Sequence, residues 1–279
     1  MFRDVGLGKL IAKALEEDVG HGDITTSAIL SGDEGGNARA VAKEDMVVAG
    51  IDVFKAVFLS IDSDIGFHVD CHDGEAAKKG AILAEISGSI RNILIAERVA
   101  LNFLQRLCGI ATLTRAYADA VKGTGAKIVD TRKTTPCLRD LEKYAVRMGG
   151  GFNHRFGLDG GVLIKDNHIS AAGGITNAVR VVRGNVPLTL KIEVEVKDLK
   201  EVEEALASGV DIIMLDNMKT EEMRKAVLLI KGRAIVEASG NVTLPRVRQI
   251  AETGVDYISV GALTHSVPAA DISLNIAVV

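Results

Sequence analysis

Three short clusters in the middle of the chain carry residue types suited to holding an anion: Thr131-Arg132-Lys133, Asn153-His154-Arg155 and Lys165-Asp166-Asn167-His168. A guanidinium presents a planar fork to a carboxylate, and a lysine ammonium acts as a point charge on phosphate. The clusters are broken by Thr, Gly and Asn and do not repeat at helical spacing, so they read as loops or strand ends. Arg139, Lys143 and Arg147 do repeat that way and read as helix surface. With a net charge of -4, the chain is acidic and this basic segment is the exception. That balance points to a small anionic ligand and away from nucleic acid.

The acidic residues that follow could supply a second half to such a site. In Lys-Ile-Glu193-Val-Glu195-Val the glutamates lie two apart and share one face of a strand. Turned inward, they need a cation to meet them: Lys133, Lys165 or Mg²⁺. Glu193 reads as a rim salt bridge. Glu195, nearer the carboxyl end, reads as part of a site, with Asp216 its companion on the next strand. Further on, Glu237-Ala-Ser239-Gly240-Asn241 and Val260-Gly261-Ala262-Leu-Thr-His265 each pass from strand through glycine towards a helix. Backbone N–H groups at helix starts bind phosphate, and the last two strands of barrels often carry that site.

All these residues close strand-like runs (AKIVD, GVLIK, LKIEVE, DIIMLD, AIVEA and DYISV). Helical segments follow most of them, at 138–148, 174–183, 198–208, 219–231, 243–253 and briefly near 268. Alternating strands and helices imply right-handed crossovers and a parallel sheet, with ligands at the carboxyl ends of the strands. Six repeats fall short of a closed eightfold barrel. The expectation is an α/β fold: an open, incomplete parallel barrel over 109–279, taking at most one strand from upstream. Residues 1–108 precede it, with a one-faced helix at 7–18 and β-type runs at 38–49, 65–70 and 81–87. From Arg91 to about Lys122 the pattern is helical, with Gly109 separating two helices. Arg98 reads there as a residue whose stem packs while its head reaches water.

The composition, 47% hydrophobic and 25% charged over 279 residues, is that of a soluble globular protein. Cys71, Cys108 and Cys137 form no CxxC pair, which argues against a disulfide framework or zinc cluster and for a reducing cytosol. Residues 1–20 form a charged amphipathic helix rather than a signal peptide. No apolar run reaches the ~20 residues of a membrane span. The expected location is cytoplasmic.

The segments EDVGHGDITT, ERVALNFLQRLCGIAT, DTRKTTPCLRDLEKYAV, GGGFNHRFGLDGGVLIKDNHI, KIEVEV, IMLDN, EASGN and VGALTHS resemble, in order, the motifs of the quinolinate phosphoribosyltransferase family. The resemblance runs from about residue 16 to 268. It implies an N-terminal sandwich followed by an open barrel, in a homodimer or hexamer whose active site is shared between subunits. It also implies a reaction of NAD biosynthesis: quinolinate plus phosphoribosyl pyrophosphate gives nicotinate mononucleotide, pyrophosphate and carbon dioxide, with Mg²⁺. By the same resemblance Arg132, Lys133, His154, Arg155 and Lys165, with Thr131 beside them, surround the quinolinate carboxylates. Arg98 joins them from the neighbouring subunit. Glu195 and Asp216 bind ribose hydroxyls or the metal. Ser239, Gly240, Asn241, Val260, Gly261 and Ala262 hold the 5′-phosphate with His265 close by, and Lys133 and Lys165 serve the pyrophosphate. Lys133, Lys165, Glu195 and Asp216 are thus the implied catalytic set. One departure stands out: the family usually has Gly after the loop proline, where this chain has Cys137. Three other readings compete with this one. One is a paralogue of the same fold acting on a different acceptor; the second is a Schiff-base lyase using Lys165 or Lys191; the third is a non-catalytic phosphate-ligand sensor, which the paired carboxylates disfavour.

Overall fold

A computed structural model describes residues 6–30 and 34–278; Arg3 and Asp4 of the expected first helix lie outside it. Helix α1 (Leu7–Val19) buries Ile11 and Leu15, and Gly20, at φ 53°, ends it. Helix α2 (Ile24–Ile29) is capped by Asp23, whose carboxylate accepts the Thr26 N–H at 2.9 Å. Strand β1 (Gly35–Ala42) alternates strictly enough to bury Ala38, Ala40 and Ala42 completely. After the short β2 (Met46–Val47) comes α3 (Ile51–Ile61), an element the sequence reading did not place. It buries Val53, Phe54, Val57 and Phe58, and Phe54 meets Phe67 edge-on at 5.9 Å. Strands β3 (Gly66–Val69), β4 (Ala76–Ala77) and β5 (Ile82–Ser89) follow.

Helix α4 (Ile90–Ala120) corrects one expectation, because it runs unbroken for 31 residues through Gly109. A Cβ at Gly109 would lie 2.2 Å from the Pro268 carbonyl oxygen, so the glycine permits a close backbone approach and does not break the helix.

The barrel strands are β6 (Lys127–Val129), β7 (Val162–Ile164), β8 (Ile192–Val196), β9 (Ile212–Asp216), β10 (Ile235–Ser239) and β11 (Tyr257–Ser259). They form a six-stranded sheet in the order β6-β11-β10-β9-β8-β7, and every registered pair is parallel. No upstream strand joins this sheet among the described residues; Phe152 alone bridges to Val129. The covering helices are α6 (Asp166–Ala172), α7 (Ile175–Asn185), α8 (Leu199–Ala207), α9 (Thr220–Ile230), α10 (Leu244–Ala251) and α11 (Ala262–His265). Short α6 was not foreseen. Near 268, where a helix was expected, the chain instead leads into β12 (Ile272–Val278), and the last helix ends at His265.

Two compact units result, and they are not sequential. One comprises 1–115, 135–150 and 266–279; the other comprises 116–134 and 151–265. The sequence places a single boundary after residue 108. The difference arises because β12 pairs antiparallel with β1, in a sheet ordered β12-β1-β5-β3. Helix α5 (Arg139–Met148) also belongs to the first unit. Its Glu142 and Lys143 are fully buried, which overturns the reading of Lys143 as helix surface. Glu142 accepts from the Arg106 guanidinium at 2.7 Å and from the Thr135 N–H at 3.1 Å.

Candidate active site

The strands of the second unit end around a cavity of about 490 Å³. Thr131, Arg132 and Lys133 enter it after β6, His154 and Arg155 from the segment before β7, and Lys165 after β7. Opposite these cations, Glu195 comes from β8, Asp216 from β9, and Ser239, Gly240 and Asn241 from the end of β10. The register carries these three acidic and phosphate-type groups on adjacent strands, with Ser239 directly beside Asp216. Val260, Gly261, Ala262 and His265 fall outside the cavity lining, though Gly261 lies against His265 and against Lys133, which lines it. A Cβ on Gly261 would lie 3.1 Å from both the Lys133 and His265 side chains, so this glycine makes room for them. Thr264 Oγ1 holds the Lys133 carbonyl at 2.9 Å. Arg98 is exposed on α4, in the first unit.

Inward-facing Glu195 meets Lys165 Nζ at 3.2 Å, one of the three cations the sequence offered for it. Val194 and Val196 are buried on the other face of β8, as strand parity requires. Lys165 is also the N-cap residue of α6, and its backbone N–H donates to His168 Nδ1 at 3.0 Å. His168 therefore fixes the strand-to-helix turn that presents Lys165.

Glu193 is not a rim salt bridge. It is 3% exposed and lies beside Glu237, which is 4% exposed, with His154 Nε2 3.1 Å from the first and 3.6 Å from the second. His154 Nδ1 accepts the Arg155 N–H at 2.7 Å, so the ring proton sits on Nε2, facing the carboxylates. These three residues bring ligand-type atoms within 4.8 Å of one another. Because the facing nitrogen is a donor, the group reads as an acid pair capped by an imidazole N–H and not as a metal centre. Burial, and then the neighbouring Glu193 charge, push the Glu237 carboxyl up to about 7, while His154 works against them. Both ring nitrogens of His154 are thus committed within the protein, which makes His154 part of the floor.

That floor is clamped from its other side by Asp130. This carboxylate has no solvent exposure; it accepts the His154 N–H at 2.9 Å and the Asn153 amide at 2.6 Å. Asp130 immediately precedes Thr131-Arg132-Lys133, so one buried group registers two of the cationic clusters against each other. Arg155 Nη1 donates to the Gly161 carbonyl at 2.8 Å. Its burial, followed by the nearby Arg132 charge, lowers the Arg155 pKa from the usual guanidinium value. The sequence reading left Asp130, Glu193 and Glu237 outside the site. Strand parity contained a signal for Glu237: it lies two residues before Ser239, as Glu193 lies two before Glu195.

Cys137 adopts φ 66°, the left-handed region that glycine occupies without strain. The departure noted at this loop is therefore accommodated by strained backbone.

A parallel open barrel with cations and carboxylates converging at its strand ends defines an enzyme of the α/β-barrel class that acts on anionic small molecules. Comparison with known proteins then fixes the family. Residues 23–108 match the model of the quinolinate phosphoribosyl transferase N-terminal domain, and 110–275 that of its C-terminal domain. A probable nicotinate-nucleotide pyrophosphorylase (carboxylating) of Synechocystis sp. is 48% identical over 94% of this chain and 90% of its own. Its counterpart in Bacillus subtilis is 43% identical over 97% and 93%. The crystal structure of NadC from Streptococcus pyogenes superposes with a TM-score of 0.96 at 42% identity, covering 100% of this chain and 99% of its own. The chain belongs to the quinolinate phosphoribosyl transferase family.

Proposed function

We infer that this cavity transfers the phosphoribosyl group of phosphoribosyl pyrophosphate to the ring nitrogen of quinolinate. The products are nicotinate mononucleotide, pyrophosphate and carbon dioxide, and the enzyme serves NAD biosynthesis. The observation that carries the reading is the division of one cavity into a cationic side and an acidic, phosphate-type side on three adjacent strands. A dicarboxylate fits the first, and a ribose 5-phosphate fits the second.

Arg132 and Arg155 hold the acceptor carboxylates as planar, permanently charged partners, with Thr131 beside them. Arg98 contributes from a second subunit, in a homodimer or a hexamer. Attack of the ring nitrogen on ribose C1 expels pyrophosphate, and Lys133 and Lys165 stabilise the departing charge. Glu195 and Asp216 bind ribose hydroxyls and favour the positive charge that develops at C1. Lys165, drawn to Glu195 at 3.2 Å, is placed between these two tasks. Ser239, Gly240 and Asn241 hold the 5′-phosphate, with Val260, Gly261, Ala262 and His265 completing its surroundings. After transfer the positive ring nitrogen stabilises the electron pair left on the adjacent carbon as carbon dioxide departs, so the protein need supply only a proton.

Mg²⁺ suits this donor set. Lys165 already engages Glu195, and Asn217 engages Asp216 at 2.8 Å, so the carboxylates favour an ion held mainly by pyrophosphate oxygens and water. Bound there, it would neutralise charge on the leaving group. No helix among the described residues is long and apolar enough to cross a membrane.

Purified protein is expected to release carbon dioxide only when quinolinate, phosphoribosyl pyrophosphate and Mg²⁺ are present together. Equal or better turnover with nicotinate as acceptor would overturn the reading. Borohydride trapping of a lysine adduct would favour a Schiff-base lyase instead.

A further inference from the structure

We propose that Asn217 is a positioning residue that locks the ribose-binding carboxylate to the phosphate loop, so that the two halves of a phosphoribosyl group are recognised as one. The proposal rests on the reading of the site given above. Asn217 directly follows Asp216 at the end of β9 and adopts φ 54°; Asn241, in the equivalent turn after β10, adopts φ 49°. Left-handed backbone is uncommon outside glycine, is best tolerated by Asn and Asp, and clusters at functional sites. Two such asparagines on adjacent strand ends place their side chains against each other.

Asn217 contacts residues of both loops. Its backbone N–H donates to the Ser239 carbonyl at 2.9 Å. Its side-chain Nδ2 donates to Asp216 Oδ2 at 2.8 Å, and its Oδ1 accepts from Asn241 Nδ2 at 2.9 Å. Gly240 completes the set: at φ 89°, a Cβ there would lie 2.2 Å from Asn217 Oδ1, so the loop needs glycine because this amide lies over it. An amide alone serves both ends of the contact. It donates to the carboxylate, orienting one oxygen and leaving the other for a ribose hydroxyl, and it accepts from the neighbouring loop. Aspartate keeps the accepting end only, and glycine keeps neither while relieving the backbone. Asn217 is itself exposed, so substitutions there leave the core alone.

The test uses the full-length Asn217→Gly and Asn217→Asp variants, with ribose 5-phosphate and inorganic phosphate as calorimetric probes. The Gly variant is expected to bind ribose 5-phosphate about tenfold more weakly, with a matching rise in KM for phosphoribosyl pyrophosphate. Its KM for quinolinate should stay within about twofold and its melting temperature should hold, since no acceptor contact or core group changes. The Asp variant keeps the Asn241 contact but adds a carboxylate beside Asp216 and the phosphate loop, so it should lose inorganic phosphate as well as ribose 5-phosphate. Unchanged ribose 5-phosphate affinity in the Gly variant would overturn the proposal. So would an equal rise in both KM values, or a fall in melting temperature that accounts for the loss. If wild-type protein consumed no quinolinate, the reaction assignment would fall while the ribose 5-phosphate titration still decided the role of Asn217.

Discussion

Glu237 is a carboxyl whose charge the fold disfavours. In the unfolded chain it loses its proton near 4.5, whereas in the barrel interior it holds it until about 7. Between those values the native state binds more protons than the unfolded state, so stability falls as pH rises through this window and levels off above it. A shift of this size corresponds to about 3 kcal/mol. Glu237→Gln keeps the shape of the protonated acid and adds a donor towards Glu193. Melting curves should therefore show the variant equal to wild type near pH 5 and more stable near pH 8, and a parallel pH dependence in both proteins would refute a protonated Glu237 in the folded state. Cys137 offers a second test at this scale. Left-handed backbone costs a non-glycine residue roughly 1–2 kcal/mol, and glycine returns roughly half of that as entropy. Cys137→Gly should raise the urea midpoint by the equivalent of about 0.5–1 kcal/mol.

Secondary elements show where local sequence was sufficient and where it was not. The six barrel strands follow from short apolar runs and most of their helices from period-3.6 patterns, because such local patterns do not depend on what lies far away in sequence. The cationic clusters and Glu195 were legible for the same reason: strand ends point where the sheet points. Gly109 was misread because its partner, the Pro268 carbonyl, is remote in sequence, and a close approach leaves no periodic trace. Lys143 was misread because helical spacing of charges ordinarily means solvent, while here burial is imposed from outside the helix. Glu193 was misread as a rim salt bridge and Asp130 was left without a role, because a buried carboxylate is recognisable only through the partners that compensate it. Gly109→Ala gives the matching prediction. At an open helical site alanine would stabilise by up to about 1 kcal/mol. Against a backbone oxygen it should destabilise by about 1–3 kcal/mol, seen as a lower denaturant midpoint at unchanged slope.

Across the whole molecule, the proposed sharing of the site between subunits can be tested without a structure of the assembly. Arg98→Ala and Lys165→Ala proteins should each be inactive, and mixing them under conditions of subunit exchange should restore part of the activity, since a mixed pair contains one intact site. No recovery despite demonstrated exchange would place Arg98 within its own chain's site. The same scale explains why a boundary drawn on sequence differs from the compact units: pairing between β1 and β12 joins residues on either side of the entire barrel.

That pairing bears on how the protein is made. Growing chains fold as their segments emerge, and contacts distant in sequence form late. The barrel's six strands, from Lys127 to Ser259, are all synthesised while β1 still lacks its β12 neighbour. Through that interval β1 presents an open row of N–H and C=O groups, the kind of edge that recruits strands from other chains. Nascent or prematurely terminated chains should therefore be the aggregation-prone species, with a finished barrel attached to an unfinished sheet. Supplying the Ile272–Val278 segment in trans would be a direct way to protect them.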